Sequence, residues 1–146
     1  MLNNEKDFVT LYENLKSRMK QDGKLIILIM DGAQIHHHFL SNDGKLTVKN
    51  NDKIVFELEA KYDYKNIKSF FGQKINVYLS GTYGLNEKIE ENIVFPSLIK
   101  KFYTKYGFKL ESEMNFLDVY PNESAKLESY EKKVIGLYNA YVFVKE

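Results

Sequence analysis

The chain has 146 residues, 44% hydrophobic and 14% aromatic, which suits one domain with a core of its own and argues against a disordered tail. Its 21 Lys and Arg against 20 Asp and Glu leave a net charge of +1, so only a local basic patch could favour nucleic acid. With no cysteine, disulfides and thiolate metal sites are excluded and a reduced compartment fits. The longest apolar run is too short for a bilayer, and the amino terminus shows no secretory pattern.

Phe8, Leu11, Tyr12, Leu15 and Met19 recur at helical spacing and form one face, and Asp22-Gly23 ends that helix. The run at 25–30 is apolar without alternation. Following a glycine stop, it predicts a strand buried on both faces, as in a parallel sheet. Asp31-Gly32 breaks it, and residues 33–40 suit a short helix. Residues 45–49 and 53–59 alternate on either side of Asn50-Asn51-Asp52. That predicts an antiparallel hairpin, with Leu46 and Val48 on one face and Ile54, Phe56 and Leu58 on one face.

A further alternating strand carries Ile75, Val77 and Leu79 and stops at Ser80-Gly81. Phe95, Leu98, Ile99, Phe102 and Tyr106 predict a helix closed by Gly107. Residues 108–120 read as extended in part. Pro121-Asn122-Glu123-Ser124 reads as a turn whose Ser124 caps a last helix carrying Leu127, Tyr130, Val134 and Leu137. Residues 141–144 close the chain as a strand.

A helix feeding a buried strand is the repeating unit of an α/β fold, here one domain over residues 1–146 with an antiparallel patch inserted. A strand buried on both faces needs a neighbour on each side, and no strand precedes the first helix. The chain is therefore expected to be the second half of a larger sheet, paired with another unit or with itself.

Five segments carry a resemblance. Leu15-Lys16-Ser17-Arg18-Met19-Lys20-Gln21-Asp22-Gly23-Lys24-Leu25-Ile26 resembles the helix, glycine turn and fifth strand of class I methyltransferases. Met30-Asp31-Gly32 after it resembles the form in capping enzymes of large DNA viruses. Phe71-Gly72-Gln73-Lys74-Ile75-Asn76-Val77-Tyr78-Leu79-Ser80-Gly81 looks like the strand before the cap-binding segment of mRNA cap guanine-N7 methyltransferases. The run from Glu91-Asn92-Ile93-Val94-Phe95 to Lys105-Tyr106-Gly107-Phe108 resembles that family's Glu-led helix. Leu137-Tyr138-Asn139-Ala140-Tyr141-Val142-Phe143-Val144-Lys145 resembles its last strand.

The resemblance implies the carboxy-terminal half of a Rossmann-like, S-adenosylmethionine-dependent methyltransferase acting on the capped 5′ end of mRNA. It implies as partner a cofactor-binding half or a catalytic subunit, with self-association as the alternative, no membrane, and a cytoplasmic location such as a viral factory or a virion. The family's glycine-rich cofactor loop, ribose-binding acid and His-Tyr-x-Phe segment are not found in this sequence, so the chain is expected to be inactive alone. Two other readings stay open: a non-catalytic stimulatory or scaffold subunit, and a generic α/β binding module.

Methyl transfer to guanine N7 needs no general base, because N7 has a free lone pair. Alignment is the task, so no catalytic acid, base or nucleophile is expected. Reading guanine does need an acceptor: its N1–H and N2–H₂ are adjacent donors that one carboxylate can take together. The resemblance gives Glu91 that role, with Glu90 next to it if the alignment slips by one. Read alone, Glu91 is a first-turn glutamate favoured by a helix dipole. An aromatic ring is expected along the base, with a cation–π role towards the methylated product. The resemblance assigns Tyr138, which otherwise reads as a core tyrosine; Tyr141 is next and reads more as core.

Asp31 ends the buried strand, where ligands bind in open α/β sheets. It lies beside cofactor or cap, or is a turn residue paired with Gly32. Lys100, Lys101 and Lys105, with Lys109 beyond, contact RNA or form a solvated helix face. His36, His37 and His38 point in different directions on a helix and make a poor metal site, so no metal is expected.

Overall fold

A computed structural model describes residues 4–81 and 88–146. Helix α1 (Glu5–Arg18) begins at Asn4, whose side-chain oxygen accepts the Asp7 N–H at 3.1 Å. Strand β1 (Lys24–Met30) and helix α2 (Gly32–Ser41) follow. Next come β2 (Lys45–Asn50), β3 (Lys53–Ala60), β4 (Lys74–Leu79) and β5 (Ile89–Asn92). Then come α3 (Pro96–Lys105), β6 (Phe108–Asn115), α4 (Phe116–Val119), α5 (Pro121–Ala125), α6 (Ser129–Ile135) and β7 (Tyr138–Lys145).

The strands form two sheets, a three-stranded one in the order β1-β7-β6 and a four-stranded one in the order β2-β3-β4-β5. β1 and β6 both run antiparallel to the central β7, so they run parallel to each other. Helices α1 and α3 cover one face of this sheet, packing Phe8, Tyr12, Ile99, Phe102 and Tyr103 on Phe108, Tyr141 and Phe143. Leu25, Ile27 and Ile29 of β1 join that core.

The other face differs from the expectation of burial on both sides. Ile26 is 64% exposed and Leu28 59%, and among the described residues β1 is an edge strand with the single, antiparallel neighbour β7. The strand has apolar side chains for two faces, and the described residues cover only one.

The four-stranded sheet lies between α2 and α3 in sequence. Its hairpin turns through Asn51 and Asp52, at φ 46° and 64°, the left-handed pair that suits a two-residue connection. Leu46, Val48, Phe56, Leu58 and Ile75 face a core completed by Ile35 and Phe39 of α2 and by Ile93, Phe95 and Leu137. Ile54, beyond a register shift at Val48/Lys49, leaves the expected inner row and is 39% exposed.

Three other expectations need revising. Glu91 is not in the first turn of a helix: it lies on the short strand β5, opposite Ile75 of β4. Helix α3 starts later, with Pro96 in its first turn, where a missing N–H costs nothing. Ser124 is not a helix cap; it lies within α5, and α6 is capped instead by Glu128 in a reciprocal box with Glu131. Gly107 does close α3, at φ 84°. Among the described residues no helix is long and apolar enough to cross a membrane.

Two backbone hydrogen bonds lie where α2 starts: Asp31 N–H donates to Leu137 O at 2.7 Å, continuing the β1–β7 pairing, and Gly32 N–H donates to Val94 O at 3.0 Å, tying this turn to the segment after β5. Gly32 is needed there. A Cβ would stand 2.5 Å from the Val94 carbonyl oxygen.

Candidate functional site

The carboxyl end of β1, the start of β7 and the edge strand β5 converge on a cleft of 270 Å³. Its lining includes Leu28, Met30, Ile93, Glu91 and Tyr138, so the two residues assigned to guanine share one site. Tyr138 opens β7 opposite Met30. Burial pushes its hydroxyl pKa up, and the negative charge of Glu91 adds to the rise. The Phe116 ring lies 5.8 Å from the Tyr138 ring, tilted by 32°.

Glu91 is half-buried, and among the described residues its carboxylate has neither a hydrogen-bond donor nor a cation partner. Glu90, pointing to the other side of the strand, is ion-paired with Lys74.

Asn115 and Asn139 fix the approach to Tyr138. The Asn115 Nδ2 group donates to the carbonyls of Gly136 (2.8 Å) and Tyr138 (3.2 Å) and to Asn139 Oδ1 (2.9 Å). Its own Oδ1 accepts the Leu117 N–H at 3.1 Å, which starts α4. Asn139 donates in turn to Asp31 Oδ2 at 3.0 Å and to the Tyr141 hydroxyl at 3.3 Å. Sequence reading missed both asparagines.

Asp31 is a helix cap. Its Oδ1 accepts the N–H groups of Ala33 (2.9 Å) and Gln34 (3.1 Å), while its Oδ2 takes Asn139. Tyr141 is fully buried, and burial is the main cause of a hydroxyl pKa pushed up to about 12. Lys100 pairs with Glu113 and lies 5.6 Å from the Tyr141 ring centre. Lys105 is 3.8 Å from Glu5, and Lys101 has no ion-pair partner among the described residues. On α2, His36 Nδ1 bonds the Tyr62 hydroxyl at 2.9 Å, His37 is exposed, and His38 is half-buried in a different groove. Among the described residues no three His, Asp or Glu side chains are placed to hold a metal ion.

No family model matches the chain, and no curated protein matches it. Among solved structures it is similar to the methyltransferase CcbJ from Streptomyces caelestis, at a TM-score of 0.53 and 12% identity, over 99% of this chain and 56% of that one. An S-adenosylmethionine-dependent methyltransferase from Clostridium acetobutylicum matches at a TM-score of 0.47 and 12% identity, over 98% of this chain and 54% of that one. The chain thus spans about half the length of these structures. The fold is the mixed α/β fold of class I S-adenosylmethionine-dependent methyltransferases expected from the sequence, with the four-stranded sheet inserted between α2 and α3.

Proposed function

We propose that the chain supplies part of the cap-guanine pocket of an mRNA (guanine-N7)-methyltransferase. Glu91 accepts the N1–H and N2–H₂ edge of the base, and the Tyr138 ring lies along it. The observation that carries this reading is a half-buried carboxylate without a partner among the described residues, sharing a small, mostly apolar cleft with a half-buried tyrosine. Such a carboxylate loses hydration without compensation, and a planar ligand with two adjacent N–H groups satisfies both oxygens at once. The cleft volume of 270 Å³ lies just below the range of about 300–1,000 Å³ for whole-ligand pockets, a size that suits one base better than a nucleotide. The N7-methylated product is cationic, which favours both the carboxylate and the ring.

The chain's part is then to orient the base, with Asn115 and Asn139 as positioning residues behind Tyr138. The described residues do not themselves fit S-adenosylmethionine. At the β1–α2 turn the Asp31 carboxylate is spent on the helix cap, and the Val94 backbone fills the space beside Gly32. The cofactor site is therefore assigned to a partner unit that completes the sheet beyond β1, acting with this chain in the cytoplasm. The open edge of β1 also supports a second reading, a non-catalytic subunit that stabilises or stimulates such a partner.

Titration with a 7-methylguanosine cap analogue, followed by backbone NMR, tests the first reading. Perturbations are expected at Glu91, Tyr138 and Met30. Glu91→Ala should weaken binding about tenfold or more by leaving the guanine donors unpaired, while Glu90→Ala should not. Equal affinity of wild type and Glu91→Ala would overturn it.

A further inference from the structure

A larger cleft, of 770 Å³, lies on the other side of α2: Ile35 lines the guanine-sized cleft, and Gln34 and His38 line this one. One wall is Gln34 and His38, four residues apart on one face of α2, with Asn42 just past the helix end. The second wall is β2, which has a strand partner on one side only. The third is α6 with Lys132 and Lys133, and Lys45 stands at the start of β2.

No Asp or Glu side chain is among the lining residues. Lys45 is ion-paired with Glu59 at 3.9 Å, and Lys132 Nζ donates to the Ala125 carbonyl at 3.3 Å. Lys133 has no ion-pair partner among the described residues. The acidic residues of the neighbouring elements are engaged elsewhere or turned outward. Glu128 and Glu131 close the α6 capping box, Glu57 and Glu59 hold Lys88, and Asp118 is exposed on α4. In a chain of 21 basic and 20 acidic side chains, two adjacent ammonium groups, Lys132 and Lys133, on a groove with no acid in its lining are a local segregation of charge, with the Lys45–Glu59 pair at the rim. Repulsion between the two ammonium groups is relieved when a polyanion lies between them.

We propose that this groove binds the phosphate backbone of single-stranded RNA. Lysine suits a phosphate as a point charge. The amides of Gln34 and Asn42 and the half-buried His38 imidazole offer donors and acceptors together, which matches base edges and sugar hydroxyls. An acidic peptide would present carboxylates that only accept. The choice of RNA rests on the cap reading above, and the groove becomes the path of the transcript behind the cap in place of the α3 lysines. Lys100 and Lys105 already face carboxylates of this chain, as Lys45 does, whereas Lys132 and Lys133 have no ion-pair partner among the described residues.

The test uses the full chain and an uncapped, 5′-labelled oligouridylate of about ten nucleotides, read by fluorescence anisotropy across a salt series. Each single-strand phosphate contact contributes about 0.7 to the slope of log affinity against log salt. The double variant Lys132→Glu with Lys133→Glu should lose affinity about tenfold or more and reduce that slope by about 1.4. The same charge change made at Lys101 and Lys109 should leave affinity within about twofold, because those lysines lie outside the groove. Lys45→Glu, on another wall, is the second probe if the α6 variant melts early by circular dichroism. The proposal is overturned if both double variants weaken binding equally, if neither does, or if polyglutamate of matched charge displaces the RNA as well as unlabelled RNA does. Because the probe is uncapped, Glu91→Ala should leave its binding unchanged, so the cap reading and the groove can fail separately.

Discussion

In the four-stranded sheet, side chains alternate in the ordinary way. Leu46, Val48, Phe56 and Leu58 point into a core, and Lys45, Thr47 and Glu59 point to water, with Lys88 bridging Glu57 and Glu59 at 2.8 and 3.2 Å. In the three-stranded sheet, β1 is apolar on both faces, has one strand partner among the described residues, and leaves Ile26 and Leu28 more than half exposed. The first sheet buries its inner row under α2 and leaves Ile54, Leu79 and Ile89 exposed singly on three different strands; the second presents adjacent exposed apolar residues and an open strand edge together, the combination that drives association.

The largest effect is expected from Ile26→Lys with Leu28→Lys. Burying each side chain in an interface contributes about 1.5–3 kcal/mol, so association through β1, with a partner or with itself, should weaken about a hundredfold or more. Sedimentation velocity measures it. Unfolding of the chain alone in urea should shift by less than about 0.5 kcal/mol, because both positions are already wet. An equally large loss of stability would mean that this face is covered within the chain.

Gly32→Ala has a smaller expected effect and probes the joint between the sheets. Its Cβ would press on the Val94 carbonyl, so a loss of about 1–3 kcal/mol in urea unfolding is expected. A neutral result would show that the two sheets shift freely against each other.

The smallest effect is alkaline. Burial raises the hydroxyl of Tyr62, packed against the core of the four-stranded sheet, and that of Tyr141, in the core of the three-stranded sheet, from 10.0 to about 12 in each case. The folded state favours the neutral phenol, so this contribution is complete below pH 10 and is lost as pH rises to about 12. Tyr62→Phe and Tyr141→Phe should each flatten part of the fall in thermal midpoint over that range. If only one does, the two cores differ in how tightly they exclude water.

Periodicity made α1, α3, the hairpin and β4 readable, because each presents one apolar row to a core. It could not reveal β5. Ile89-Glu90-Glu91-Asn92 has no apolar row and is held by backbone pairing with β4, so Glu91 read as a helix opener. The meeting of Glu91 with Tyr138 was implied by resemblance rather than by spacing. The asparagine network had no local signal, since Asn139 reaches Asp31 across 108 residues and Asn115 reaches Asn139 across 24. The basic groove was hidden for the same reason, because Lys45 and Lys132 meet only once the sheets pack.

The hydrogen bond from Gly32 to Val94 has a consequence for how the recognition surface can vary. The backbone departs from the three-stranded scaffold at Gly32 and rejoins it at Val94, one bond length of contact apart, so the intervening segment behaves as a cassette clipped at both ends. Because the entropy of closing such a loop grows only slowly with its length, a longer or shorter cassette could sit on the same clip. Glu91 travels with the cassette and Tyr138 stays with the scaffold. On the proposed guanine-binding reading, base selectivity would thereby be divided between an exchangeable part and a fixed one.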